Sequence, residues 1–164
     1  MKIDIKTIAY NGILAALYVV LTLATYNISY LGIQFRVAEL LMLLCFFRKD
    51  SLIGVAIGCA IANLFSFSMW DVLFGTVATL LAGIIMMFSK HLLFAIMMPV
   101  VFNGFIVAFE LHWLLAEPFW LSVLSVSLGE LAVMTVGYIF FMIMKKRKGF
   151  LEEMGLNQNL DFKF

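Results

Sequence analysis

Charge is scarce in this sequence. Only 13% of its 164 residues are Asp, Glu, Lys or Arg, where a soluble domain carries about a quarter. Long polar tracts are missing too: 65% of the residues are hydrophobic and the mean hydropathy is +1.09. This excludes an ordinary soluble domain. Proline is limited to Pro99 and Pro118, which leaves little scope for long irregular loops. The two cysteines, Cys45 and Cys59, fall inside apolar segments without metal-ligand spacing, so they read as small buried hydrophobes. A net charge of +1 gives no reason to expect nucleic acid as a partner.

What the sequence has instead is long apolar runs. They are continuous, where the strands of a membrane barrel would alternate apolar and polar residues. An all-α membrane protein follows. Lys2 and Lys6 before an apolar stretch resemble a signal peptide, but the run from Ile8 to Tyr26 is too long and lacks a clear cleavage site, so it reads as a retained first helix. Breaking the chain at its polar points gives six transmembrane segments, 6–26, 34–47, 51–67, 70–89, 91–113 and 118–144, in one compact bundle. The second and third are short, and "FFRKD" (Phe46 to Asp50) is the turn between them. Residues 1–148 form this transmembrane domain and 149–164 a short cytoplasmic tail.

Six passes put Lys2, Lys6, Arg48, Lys49, Lys90, Lys145, Lys146, Arg147, Lys148 and Lys163 on one side, ten of the eleven basic residues. Arg36 stands alone on the other. The positive-inside rule then makes both termini cytoplasmic.

The buried polar residues follow the same asymmetry. Arg36 and Glu39 precede an apolar run in "LGIQFRVAELLMLL". Asn63 lies near the outer end of the third segment, and Asp71 begins the fourth. Asn103 and Glu110, seven apart, share a face of the fifth, and Glu130 lies near the middle of the sixth. All are in the outer half or at the midplane, as in a pocket open outward and sealed below; a proton relay would need titratable groups in both halves. Plainer readings exist for several of them. Asn63 and Asp71 can serve as helix caps, and Arg36 with Glu39 as a bridge three residues apart. Glu130 has no basic residue within helical reach and is hardest to explain away. Trp70, Trp113 and Trp120 sit at the outer boundary, as an interfacial belt or as an aromatic lid over a planar ligand.

Small residues are striped along the helices. Gly54, Gly58 and Ala62, and Gly75, Ala78 and Ala82, suit close packing within the bundle. Ala9, Gly12 and Ala16 on the first helix suit either internal packing or docking of a partner helix. Neither a nucleophile–base pair nor an H-E-x-x-H motif is present, which argues against an enzyme, and no cofactor or metal site is expected.

The segments "GILAALYVVLTL", "LGIQFRVAELLMLL" and "IGCAIANLFSFSMWDVLFGTVATLLAG" resemble the substrate-binding (S) components of energy-coupling-factor transporters, and more narrowly the queuosine-precursor (QueT-type) family. The resemblance covers most of residues 8 to 144. It implies high-affinity capture of a small nucleobase-like ligand outside the cell. Uptake would then be driven by a transmembrane coupling subunit and two ATP-binding subunits, with Gly12-x-x-x-Ala16 as the docking stripe. No motif in the chain binds ATP, in keeping with a partner-dependent subunit. A deazaguanine ring offers adjacent N–H donors to one carboxylate, and an aminomethyl substituent is a cation suited to another. Substrate-binding candidates are Glu39, Arg36, Asn63, Asp71, Asn103, Glu110, Glu130 and Trp70. Which carboxylate serves which group is left open, as are a different heterocyclic vitamin as ligand and a ligand-free assembly role.

Overall fold

The computed structural model describes residues 4–29 and 35–145. The tail 149–164 and the basic residues Lys2, Lys146, Arg147, Lys148 and Lys163 lie outside them. The elements in order are α1 (Ile5–Ala24), α2 (Tyr26–Ser29), a 3-10 segment (Val37–Met42) running into α3 (Leu43–Phe47), α4 (Ser51–Asn63), α5 (Trp70–Phe88), α6 (Leu92–Leu115) and α7 (Phe119–Lys145). Each long helix is a near-unbroken apolar sequence ended by a local signal. The α6 helix stops at Ala116, whose backbone is left-handed (φ 54°), and Pro118 follows, unable to continue it.

Among the described residues, four helices, α1, α5, α6 and α7, are long and apolar enough to cross a membrane. The expected second and third spans are not helices of that kind. The α4 helix has 13 residues, about 20 Å at 1.5 Å per residue, well under a hydrocarbon core. Within the stretch 34–47, expected as one helix, Val37–Met42 is a 3-10 helix that runs into α3. That geometry rises about 2.0 Å per residue, so eleven residues from Val37 to Phe47 reach a few ångströms further than an α-helix would. Its position tolerates the poorer hydrogen bonding. Ala38, Met42, Leu43, Cys45 and Phe46 are wholly inaccessible, so the segment is a largely buried central pillar.

Side-chain pairs give the topology. A Cβ on Gly54 or Gly58 of α4 would stand 2.8 Å from the Asn11 carbonyl and 2.7 Å from Tyr18 Cβ of α1, so α4 runs parallel to α1 at backbone contact. The Gly54 N–H also donates to Asn11 Oδ1 (2.8 Å). The pillar runs the opposite way: Glu39 meets Tyr18 and Arg48 lies over the ring of Tyr10, 4.1 Å from its centroid. The α7 helix runs alongside the pillar, with Gly137 against Leu43 and Phe141 stacked on Phe47 at 4.8 Å.

These contacts divide the bundle into two unlike halves. The half holding Tyr10, Arg48 and Phe141 is filled by Met42, Leu43, Phe46, Phe47, Met86, Leu92 and Met134. Its end is fastened by Arg48, which pairs with Asp50 (3.5 Å), and by the Tyr10–Ser51 hydroxyl contact (2.9 Å). The other half carries the buried ionisable residues Arg36, Glu39, Glu110 and Glu130.

Candidate ligand-binding site

The site begins with the 3-10 geometry. Residues three apart eclipse one another in such a helix. Arg36 is its N-cap and Glu39 lies three residues on, and both are buried, at 4% and 0% exposure. Both charges are directed inward. The Tyr18 hydroxyl of α1 donates to Glu39 Oε1 at 2.6 Å, a short charge-assisted bond. Thr79 of α5 also neighbours Glu39, and its hydroxyl reaches Cys59 Sγ at 3.3 Å.

Asn63 ends α4 and ties it to α5, its Nδ2 donating to the Asp71 carbonyl at 2.9 Å. Gly75 makes room for this arrangement. A Cβ there would collide with the Asn63 amide and stand 3.2 Å from Arg36 Nη1. The N-cap of α5 is Met69, so Asp71 is not the cap; it is a partly exposed acid in the first turn. Its carboxyl faces that of Glu110 on α6, which is 1% exposed. Lower on α6, Asn103 Nδ2 donates to Glu130 Oε1 of α7 at 2.9 Å. Gly104 sits where Ser127 of α7 presses in, which brings the two helices together at this level.

Of the expected residues, Arg36, Glu39, Asn63, Asp71, Asn103, Glu110 and Glu130 converge, drawn from five elements. Trp70 does not join them. It is 46% exposed and packs edge-on to Trp113 at 5.3 Å, with Phe74 and Phe109 nearby, on the outer surface of α5 and α6. Ala9, Gly12 and Ala16 lie on the exposed face of α1, and a Cβ on Gly12 would meet nothing within 4 Å. Tyr18, Thr79 and Cys59 were absent from the sequence-derived set. Tyr18 had a signal: a tyrosine in mid-span is out of place, since tyrosines in membrane helices favour the interface.

The cluster has acceptors to spare. Glu39 Oε2, both oxygens of Glu110, Glu130 Oε2, Asn103 Oδ1 and Ser122 Oγ are buried without a hydrogen-bond partner. Each such group costs about 1–3 kcal/mol, more when charged. A bundle that otherwise packs apolar side chains has no structural need for them. Four carboxyl groups stand against the single guanidinium of Arg36, so the arrangement suits a ligand rich in N–H donors.

A family model described as "QueT transporter" matches residues 8–146. The queuosine precursor transporter QueT of Lactococcus lactis subsp. cremoris (strain MG1363) is 38% identical over 152 residues, covering 82% of this chain and 87% of that protein. No solved structure gives a significant match.

Proposed function

The chain belongs to the QueT transporter family, and we propose that it is the S component of an energy-coupling-factor importer that captures a queuosine precursor, a deazaguanine such as preQ1 or queuine, outside the cell. The family makes it a transporter and not an enzyme, and places it in the plasma membrane as a multi-pass protein.

One observation carries the ligand-binding reading: the set of buried, unpartnered acceptors contributed by the pillar, α6 and α7. A flat heterocycle with several ring and exocyclic N–H groups supplies the missing donors, and the low dielectric around the cluster strengthens each bond. The apolar half beneath it suits a site open to one side only. The charge distribution orients that opening outward, with the Arg48–Asp50 turn and Lys90 at the cytoplasmic face.

Docking onto a coupling subunit, itself energised by two ATP-binding subunits, is assigned to Ala9, Gly12 and Ala16. These small residues are exposed on α1, while Asn11, Ala15 and Tyr18 on its other face bind α4 and the pillar.

The test is calorimetry on the purified chain alone, with a deazaguanine precursor as titrant. Binding is expected in the wild type and is lost in Glu39→Ala and Glu130→Ala; unchanged binding in both would remove the site assignment. Mass spectrometry of ligand co-purifying with the protein identifies the heterocycle independently.

A further inference from the structure

Two flat polar groups are joined by a hydrogen bond inside the bundle. Asn103 of α6 donates from Nδ2 to Glu130 Oε1 of α7 at 2.9 Å, and both residues are 1% exposed. A carboxylate only accepts hydrogen bonds, so the amide turns its nitrogen to Glu130 and its oxygen elsewhere. That oxygen, Asn103 Oδ1, is buried without a hydrogen-bond partner, and so is Glu130 Oε2. Glu130 Oε1 keeps a second lone pair beside the one that Asn103 occupies. Three acceptor positions are thus left over on two planar groups.

The pair is firmly mounted. Val100 and Gly104, on either side of Asn103 along α6, both meet Ser127, three residues before Glu130 on α7. The Ser127 hydroxyl donates to the Val100 carbonyl at 3.3 Å, and a Cβ on Gly104 would collide with it. Fastening two helices explains only part of this arrangement. A single polar bond between helices does that, and a glutamine at position 130 would make it without burying a carboxylate. Glu39 and Arg36 of the pillar act on Glu130 through their charges, yet Oε2 has no hydrogen-bond partner. Glu39 is differently occupied, since Tyr18 donates to it and Arg36 and Thr79 act on it as well.

We propose that Glu130 and Asn103 together read the amino edge of the ligand ring, a ring N–H beside an exocyclic NH2, and so make this protein selective for 2-amino-6-oxo heterocycles. This rests on the reading of the cluster as a deazaguanine site. That edge carries three N–H hydrogens. The ring N–H and the nearer amino hydrogen lie parallel and match the two oxygens of one carboxylate, which leaves the outer amino hydrogen for Asn103 Oδ1. A hypoxanthine-type ring lacks the amino group and strands two of the three acceptors. An adenine-type ring is rejected more strongly, because its bare ring nitrogen turns a lone pair towards Glu130.

The test compares two ligands that share the aminomethyl group: 7-aminomethyl-7-deazaguanine and 7-aminomethyl-7-deazahypoxanthine, which lacks only the 2-amino group. Calorimetry on the full-length protein in detergent is expected to give a wild-type preference of about 10- to 100-fold for the first, the range for hydrogen bonds lost to a charged group. Glu130→Gln turns one acceptor into a donor, and the preference should shrink to within about threefold through weaker binding of the guanine form. Asn103→Ala removes one acceptor and should leave a preference about threefold to tenfold smaller than the wild type's. Glu39→Gln is expected to weaken both ligands and keep their ratio. Equal wild-type affinities, a preference untouched in both Glu130→Gln and Asn103→Ala, or one lost in Glu39→Gln alone would each overturn the assignment. Where Glu130→Gln binds neither ligand, Asn103→Ala decides, with its melting temperature as the check on folding. A wild type that binds neither ligand overturns the proposed function itself, and the assignment with it.

Discussion

The Tyr18 hydroxyl donates to Glu39 Oε1 at 2.6 Å, joining the first helix to the acid at the centre of the buried cluster. The same helix carries the exposed Ala9, Gly12 and Ala16, so one rigid element has a ligand-site contact on one face and the proposed partner-docking stripe on the other. Removing the hydroxyl in Tyr18→Phe leaves Glu39 with a second unpaired oxygen. Stability in detergent is expected to fall by about 1–2 kcal/mol and precursor affinity by roughly tenfold. Thermal unfolding and calorimetry on the same preparation measure both. Unaltered affinity would make the bond purely structural.

Two glycines that look alike in the sequence are expected to respond oppositely. At Gly58 an added Cβ meets Tyr18 Cβ at 2.7 Å and the Ala15 carbonyl at 2.9 Å, so Gly58→Ala should cost about 1–3 kcal/mol by prying α1 from α4. At Gly12 nothing lies within 4 Å. Gly12→Leu should leave stability within about 0.5 kcal/mol and ligand binding intact, as for an unencumbered surface change. Cellular uptake should be abolished by it. Parallel loss of binding and uptake would show instead that Gly12 packs within the bundle.

Gly75→Ala tests how closely the polar cluster is built. The new methyl would displace the Asn63 amide and crowd Arg36 Nη1. The expected result is a loss of affinity of about tenfold or more, with a melting temperature that changes less than in Gly58→Ala. A large drop in melting temperature with affinity preserved would mean that Gly75 serves helix packing alone.

Asn103→Asp replaces the donor to Glu130 with a second acid. Two adjacent buried acids repel, so this variant should bind precursor more weakly and unfold more easily than Asn103→Ala, which only removes the donor. Calorimetry and thermal unfolding rank the two. The reverse order would show that Glu130 is held by something other than Asn103.

Much of this was legible from residue order. Composition settles a membrane protein of helices because lipid offers no partner for unpaired backbone groups. Six polar-bounded segments, and the gathering of Glu39, Asn103, Glu110 and Glu130 in one half, follow from counting residues along helices of known rise. Trp70 was ambiguous because an interfacial belt and an aromatic lid draw on the same residue at the same depth; it packs edge-on to Trp113.

The sequence by itself determined the class of molecule and the gathering of the acids in one half of the bundle, because these depend on local composition and on distance along a helix. Tertiary structure decided the rest. Val37–Met42 forms a 3-10 segment packed among the other helices, which buries Arg36 at its N-cap and Glu39 within it. Tyr18 became a partner of Glu39 because Gly58 lets α1 and α4 meet at backbone distance. Which donor each acid meets depends on neighbours distant in sequence. It is that pairing, not the number of acids, that distinguishes Glu130, held by Asn103, from Glu39, held by Tyr18.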